Sequence, residues 1–149
     1  MAAGSSKDPI NAAMFGVDFG SGREGWFQSV SGGGGEVETI MTKEVGEKGA
    51  VIQRAIPGNF KHTALELKRG LTDSMALWDW FKLVEDGKIK DARVSGSLIA
   101  YDQEHQEVAR WDIIEAWPSK LGFPQLDAKS NEISVESITI QHTGMKRIK

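Results

Sequence analysis

The chain holds 149 residues, one domain's worth of material at ~100–200 residues per domain, and its 40% apolar and 26% charged content is that of a globular protein. Eighteen basic against 21 acidic residues leave a formal charge of −3, which supplies no basic footprint for duplex nucleic acid and no cationic face for a membrane. Cysteine is absent, so disulfides, thiolate metal ligands and cysteine nucleophiles are excluded, and no apolar run approaches the ~20 residues of a membrane span.

In chain order, Met1–Ala13 are small and polar and read as a flexible arm, and Met1–Gly16 lack the basic start and apolar centre of a secretory leader. Phe15, Val17 and Phe19 alternate with small or polar residues, the period-2 mark of a half-buried strand. The turn Gly20–Gly25 and the returning strand from Trp26 to Ser31 complete a hairpin, and Gly32–Gly35 follow as a loose joint, since glycine loses most entropy on ordering. Two more strands, Glu36–Lys43 and Ala50–Ala55, flank Glu44, Val45, Gly46, Glu47, Lys48 and Gly49, a stretch too polar for a core and expected to project. Pro57-Gly58 is expected to turn the chain, and His62–Arg69 to form a strand with Leu65 and Leu67 on one face and Glu66 and Lys68 on the other.

Asp73–Asp86 has helical spacing. Leu77, Trp78, Trp80, Phe81 and Val84 fall within roughly 160° of arc, Thr72 or Asp73 can cap the start, and Gly87 suits the left-handed position after the end. Met75 and Leu83 lie outside that arc and could form a subunit contact. Strands are expected at Ala92–Tyr101, at Val108–Trp117 after a turn at Asp102–Gln106, and at Glu132–His142, with a bulge near Ser137; Pro118–Ala128 reads as a connection. Trp111 and Trp117 share a strand face with Ile113, so these two, with Leu77, Trp78, Trp80, Phe81 and Val84, are the expected helix–sheet core. About eight strands and one helix imply a mainly β fold: two antiparallel sheets as a sandwich or barrel with a flanking α-helix, in one domain spanning 1–149.

No catalytic pattern stands out. Gly20-x-Gly22-x-x-Gly25 spells the dinucleotide fingerprint, but Trp26–Val30 reads as strand where a phosphate-binding helix must begin. His62, His105 and His142 are dispersed, with no metal-ligand spacing. Asp102, Glu104 and Glu107 do not form a calcium loop, and no serine stands in a nucleophile elbow. No cofactor and no metal is expected.

Short pieces distributed from Phe15 to Gly144 carry a resemblance: Phe27-Gln28-Ser29-Val30-Ser31-Gly32, Ile56-Pro57-Gly58, Leu65-Glu66-Leu67-Lys68-Arg69-Gly70, the helix with Trp78, Ala116-Trp117-Pro118, Leu126-Asp127-Ala128, Asn131-Glu132-Ile133 with Glu136, and His142-Thr143-Gly144. In this order and spacing the chain resembles the tail tube proteins of contractile-tailed phages and the inner-tube proteins of bacterial contractile injection systems. Gly33–Gly35 depart from the pattern, which has a bulkier residue there. The resemblance implies a non-enzymatic structural subunit. Six copies would form a ring, rings would stack into a hollow tube inside a sheath protein, baseplate and terminator proteins would close the ends, and DNA or protein cargo would pass along the lumen. Such a tube would assemble in the cytoplasm as part of a virion tail or an injection particle that acts outside the cell, with no membrane anchor.

The residues read alone agree with a ring, because a closed ring of sheets removes the unpaired edges that an isolated sheet exposes. Glu66 and Lys68 show the alternation a lumen wall needs, and Glu44–Gly49 is the segment placed to reach the next ring. A second reading of the same architecture is the hexameric tube protein of type six secretion, although Trp117-Pro118 and Leu126-Asp127-Ala128 favour the phage-like branch. A third, a ligand-binding β-domain, requires Trp26 and Trp111 to be exposed along one groove.

Overall fold

The computed structural model describes residues 12–20, 23–70, 75–122, 128–129 and 135–149. Ten strands run through it: β1 (Met14–Asp18), β2 (Glu24–Phe27), β3 (Ser29–Gly32), β4 (Gly35–Val45), β5 (Val51–His62), β6 (Leu65–Gly70), β7 (Val94–Tyr101), β8 (Glu107–Gly122), β9 (Val135–Gln141) and β10 (Gly144–Arg147). Helices α1 (Ala76–Glu85) and α2 (Ile89–Ala92) lie between β6 and β7. All strand pairs are antiparallel, in the order β2-β1-β7-β8-β9-β6-β3, with β10 beside β8 and β4-β5 as a separate two-stranded ribbon.

The long strand β8 belongs to both sheets. Its first half pairs with β7 and β10, and its second half pairs with β9. The crossing point is a bulge: Ile114 and Glu115 stand opposite the single residue Ser95, Glu115 has φ 49°, and its N–H donates to the Ser95 hydroxyl at 3.2 Å. An extra residue bends a strand and shifts its alternation by one. Ile113 is therefore buried on one side of the bulge and Ala116 and Pro118 on the other, while Trp117 turns away from Ile113 and stays outside the core. The expected shared face of Trp111, Ile113 and Trp117 is thus corrected to Trp111 and Ile113 alone.

The core lies between the sheets and under α1. It is built from Val17, Phe19, Phe27, Leu65, Leu67, Leu77, Trp80, Leu98, Ile113, Ile138 and Ile140, each worth about 1.5–3 kcal/mol when fully buried if of Val, Leu, Ile or Phe size. Trp80 anchors the helix, its ring 5.0 Å from Phe19 and its indole N–H donating to the Ala92 carbonyl at 2.6 Å. Leu83 and Val84 pack against this cluster, Phe81 is half-buried, and Trp78 is 45% exposed. The buried arc of α1 is thus turned by about 60° from the expected one, taking Leu83 in and leaving Trp78 out. Met75 is exposed as expected. Gly87 ends the helix at φ 79°, with Gly87 N–H on the Val84 carbonyl and Lys88 N–H on the Leu83 carbonyl, a Schellman pair. Thr72 and Asp73 lie outside the described residues.

Other expectations shift at strand ends. Pro57-Gly58 does not turn the chain; β5 runs through it, and the irregularity is absorbed where Val37 faces Phe60 but Thr39 faces Pro57. β8 likewise runs through Pro118, because a proline without an N–H is tolerated beside an irregular position, here at Ser119. That irregularity is on β8, not at Ser137, and β9 keeps strict alternation: Glu136, Ile138, Ile140 and His142 are buried in phase. An acidic residue on the apolar face made the pattern look slipped.

Candidate assembly surfaces

Among the described residues the ribbon β4-β5 pairs only with itself and scarcely touches the two sheets. Its root is set by glycines: Gly32, Gly33 and Gly34 all have φ between 68° and 79°, and a Cβ on Gly32 would collide with the Ala64 carbonyl oxygen. Side chains beyond glycine rarely enter this region, so the unusual run is what allows the chain to leave the sheet sharply. At the far end Glu47–Gly49 form a 3-10 turn closed by Gly46 N–H on the Ala50 carbonyl at 2.7 Å. Glu44, Val45, Glu47, Lys48 and Gly49 are exposed and Gly46 half-buried, so the expected projection is met by a tip at the end of two long strands.

Both faces of the ribbon carry apolar residues. The register places Val37, Met41, Val45, Val51, Ala55 and Phe60 on one face. Ile40, Ile52 and Ile56 lie on the other, among Glu36, Glu38, Glu44, Arg54 and Lys61. The cross-strand pair Val45 and Val51 is 77% and 67% exposed, and Val37, Ile40, Met41, Ile52, Ile56 and Phe60 are exposed as well. Arg54 and Glu44 pair at 3.7 Å in solvent, which adds little. An isolated two-stranded hairpin is marginal in water, and contiguous apolar patches mark contact surfaces. With about half of each side chain's ~1.5–3 kcal/mol still to be gained, eight such residues can offset the ~4–15 kcal/mol cost of fixing one copy against another.

A second surface is the outer face of the β8-β9-β6-β3 sheet. Ser29, Lys68 and Ser137 form one row across it, and Ser31, Glu66, Thr139 and Lys120 another, with Glu66 and Lys68 paired at 3.7 Å. Leu65 and Leu67 are buried behind them, as the alternation implies. The opposite sheet shows Trp26 on its outer face and Trp111 on its inner face, where Arg147 lies 5.8 Å over the Trp111 ring. The two tryptophans therefore cannot line one groove.

The remaining candidates resolve into structure. At the ends of the fingerprint Phe19 N–H donates to the Arg23 carbonyl, Asp18 accepts from Gly20 N–H and Gly25 lies in β2 opposite Val17, so a strand stands where a phosphate-binding helix must begin; Ser21 and Gly22 lie outside the described residues. Asp102 is spent on the N–H groups of Glu104 and Gln106. His62 and His142, distant in sequence, come together with ring centroids 5.6 Å apart beside Phe60, and His142 Nε2–H donates to the Thr63 carbonyl at 2.8 Å; His105 stands apart on an exposed turn. Among the described residues no group of three His, Asp or Glu side chains could hold a metal, and no helix is long and apolar enough to cross a membrane. The sequence reading missed the buried pair of Arg69 and Glu136, at 3.2 Å; the signal was their phase with Leu65, Leu67, Ile138 and Ile140. Leu126, Asp127 and Asn131–Ile133 lie outside the described residues.

Comparison with known proteins agrees with this architecture. A chain of the PVC sheath–tube complex, an extracellular contractile injection system in its extended state, is 22% identical with a TM-score of 0.74, covering 96% of this chain and 93% of that one. A chain of the anti-feeding prophage baseplate gives 19% and 0.73 over 96% and 97%, and a type six secretion system protein gives 11% and 0.67 over 91% and 83%. No curated protein sequence matches the chain. The pattern of one family matches residues 11–146, almost the full length, and on that match the chain belongs to the T4-like virus tail tube protein gp19 family.

Proposed function

We propose that identical copies of this tail tube protein form six-membered rings that stack into the hollow inner tube of a contractile tail or injection particle. Residues 1–149 act as one tube-forming unit in this reading. The observation that carries it is the ribbon β4-β5, whose apolar residues on both faces stay exposed to solvent in the single chain. A contact between one patch and a different patch does not close on itself and so propagates into a filament. Glu44–Gly49 at the ribbon tip is the segment that reaches the next ring. The hydroxyl-rich face with Ser29, Ser31, Glu66, Lys68, Ser137 and Thr139 suits the lumen wall, because a row of small polar groups with balanced charge holds no cargo tightly. The sheath surrounds the tube, other tail proteins meet its ends, and DNA or protein is the cargo. The chain's work is architectural rather than catalytic.

Negative-stain electron microscopy with sedimentation tests this reading on the full chain and on a variant lacking Glu44–Gly49. Stacked rings with a central hole are expected for the intact chain, and unstacked rings or subunits for the deletion. A strictly monomeric intact chain at high concentration contradicts ring formation, and long tubes from the deletion variant contradict the role of the tip.

A further inference from the structure

We propose that Lys48 at the ribbon tip of one copy docks into a recess between Trp26 and Tyr101 of the next, its ammonium meeting Asp18 and Glu24. This rests on Glu44–Gly49 being the inter-ring segment and names the surface that receives it. The recess, about 220 Å³, opens on the outer face of the β1-β2-β7 sheet and is also lined by Gly16 and Ile99. Gly16 forms its floor: a Cβ there would press on the Tyr101 ring at 3.2 Å. The Trp26 and Tyr101 rings stand 5.2 Å apart, tilted by 53°, and Trp26 is 55% exposed.

The chemistry of the recess is unbalanced. Asp18 and Glu24 stand directly opposite each other in the β1-β2 register, and like charges so placed are destabilising. Among the described residues neither has an ion-pair partner; Asp18 accepts one hydrogen bond from Gly20 N–H. Arg110 shares this sheet face but lies two strands from β1, and it is held by Glu107 at 3.8 Å and by the Ser97 hydroxyl at 3.4 Å. Asp112, opposite Ser97, adds a further carboxylate to the same face. Two unneutralised carboxylates beside open aromatic rings suit a cationic side chain, with its alkyl stem against the rings and its charge on the oxygens.

Lys48 supplies that side chain. It is exposed, forms no ion pair among the described residues, and has φ 66° and ψ 21° in a turn flanked by Gly46 and Gly49. A lysine held in a conformation that glycine adopts freely is retained against a local cost. The polarity of the fold agrees. The chain runs from Glu24 along β2 and β3 to Gly32 and then into the ribbon, so the acidic end of the recess and the ribbon root lie at opposite ends of that run. In copies stacked in the same direction this contact would join a tip to an unlike patch and so continue without closing.

Lys48→Gly is the direct test, because it relaxes the turn while removing the side chain. Rings and thermal stability are expected to persist while the concentration needed for tubes rises about tenfold or more, the equivalent of one cation–π and ion-pair contact. Glu24→Lys is expected to do the same, and Lys48→Glu combined with Glu24→Lys to restore tube length. Wild-type tube length from Lys48→Gly overturns the docking; if the Glu44–Gly49 deletion still blocks stacking, the inter-ring role of the tip survives, whereas tubes from the deletion sink both. Carbodiimide coupling of wild-type tubes, read by mass spectrometry, gives a second measurement. A Lys48–Glu24 or Lys48–Asp18 linkage supports the contact, and neither product, or coupling of Lys48 elsewhere, overturns it.

Discussion

Arg69 and Glu136 sit opposite each other on β6 and β9 and form an ion pair at 3.2 Å with both side chains buried. The guanidinium also lies 5.4 Å over the Phe27 ring, while its Nη2 has no hydrogen-bond partner among the described residues. The pair joins β6 to β9 within the sheet that carries the polar outer face. Removing one member leaves the other charged and unsatisfied, whereas replacing both with apolar residues removes two desolvated groups at once. Glu136→Gln is expected to lower unfolding stability by about 3–5 kcal/mol, and Arg69→Met with Glu136→Leu to be near neutral or stabilising. Urea denaturation of the subunit measures both.

The two helix tryptophans should respond oppositely. Trp80 fills the space beside Phe19 and satisfies the Ala92 carbonyl, so Trp80→Ala is expected to cost about 3–5 kcal/mol. Trp78→Ala, at an exposed position, is expected to stay within about 0.5 kcal/mol in the isolated subunit. Paired thermal melts of the two variants check the difference.

The glycines at the ribbon root divide by what surrounds them. Alanine at Gly34 meets open space and suffers only the left-handed backbone cost of about 1–2 kcal/mol. Alanine at Gly32 suffers the same cost and also drives its methyl into the Ala64 carbonyl. Gly32→Ala is therefore expected to be the more destabilising and to impair tube assembly. Melting and electron micrographs of both variants measure this.

Apolar tip residues should matter to assembly and not to the subunit. Val45→Glu or Val51→Glu puts a charge at a largely exposed position, so subunit stability is expected to change by less than about 0.5 kcal/mol. Stacking is expected to be lost, as sedimentation of each variant would report.

Much of the sheet framework was legible because alternation is written residue by residue, as in Phe15-Val17-Phe19 and Leu65-Leu67. The tip was legible from polarity alone. What was not legible depended on tertiary partners. Trp78 and Leu83 differ little in apolarity, and only the placement of α1 against Phe19 and Ala92 decides which is buried. Glu136 interrupts the apolar alternation of β9, and the partner that accounts for it, Arg69 on β6, is distant in sequence. The bulge at Ile114–Glu115 turned Trp117 away from Ile113, and Ser95, which accommodates it, is distant in sequence. The recess around Trp26 likewise needs Gly16 and Tyr101 from two other strands.

Electron cryomicroscopy of tubes assembled from the intact chain, at a resolution that traces side chains, tests most directly whether self-association completes this fold. The expected result is a β4-β5 ribbon whose Val45, Val51, Met41 and Phe60 are buried against neighbouring copies. A complete tube in which that ribbon stands in solvent, its apolar residues touching no other copy, would contradict it.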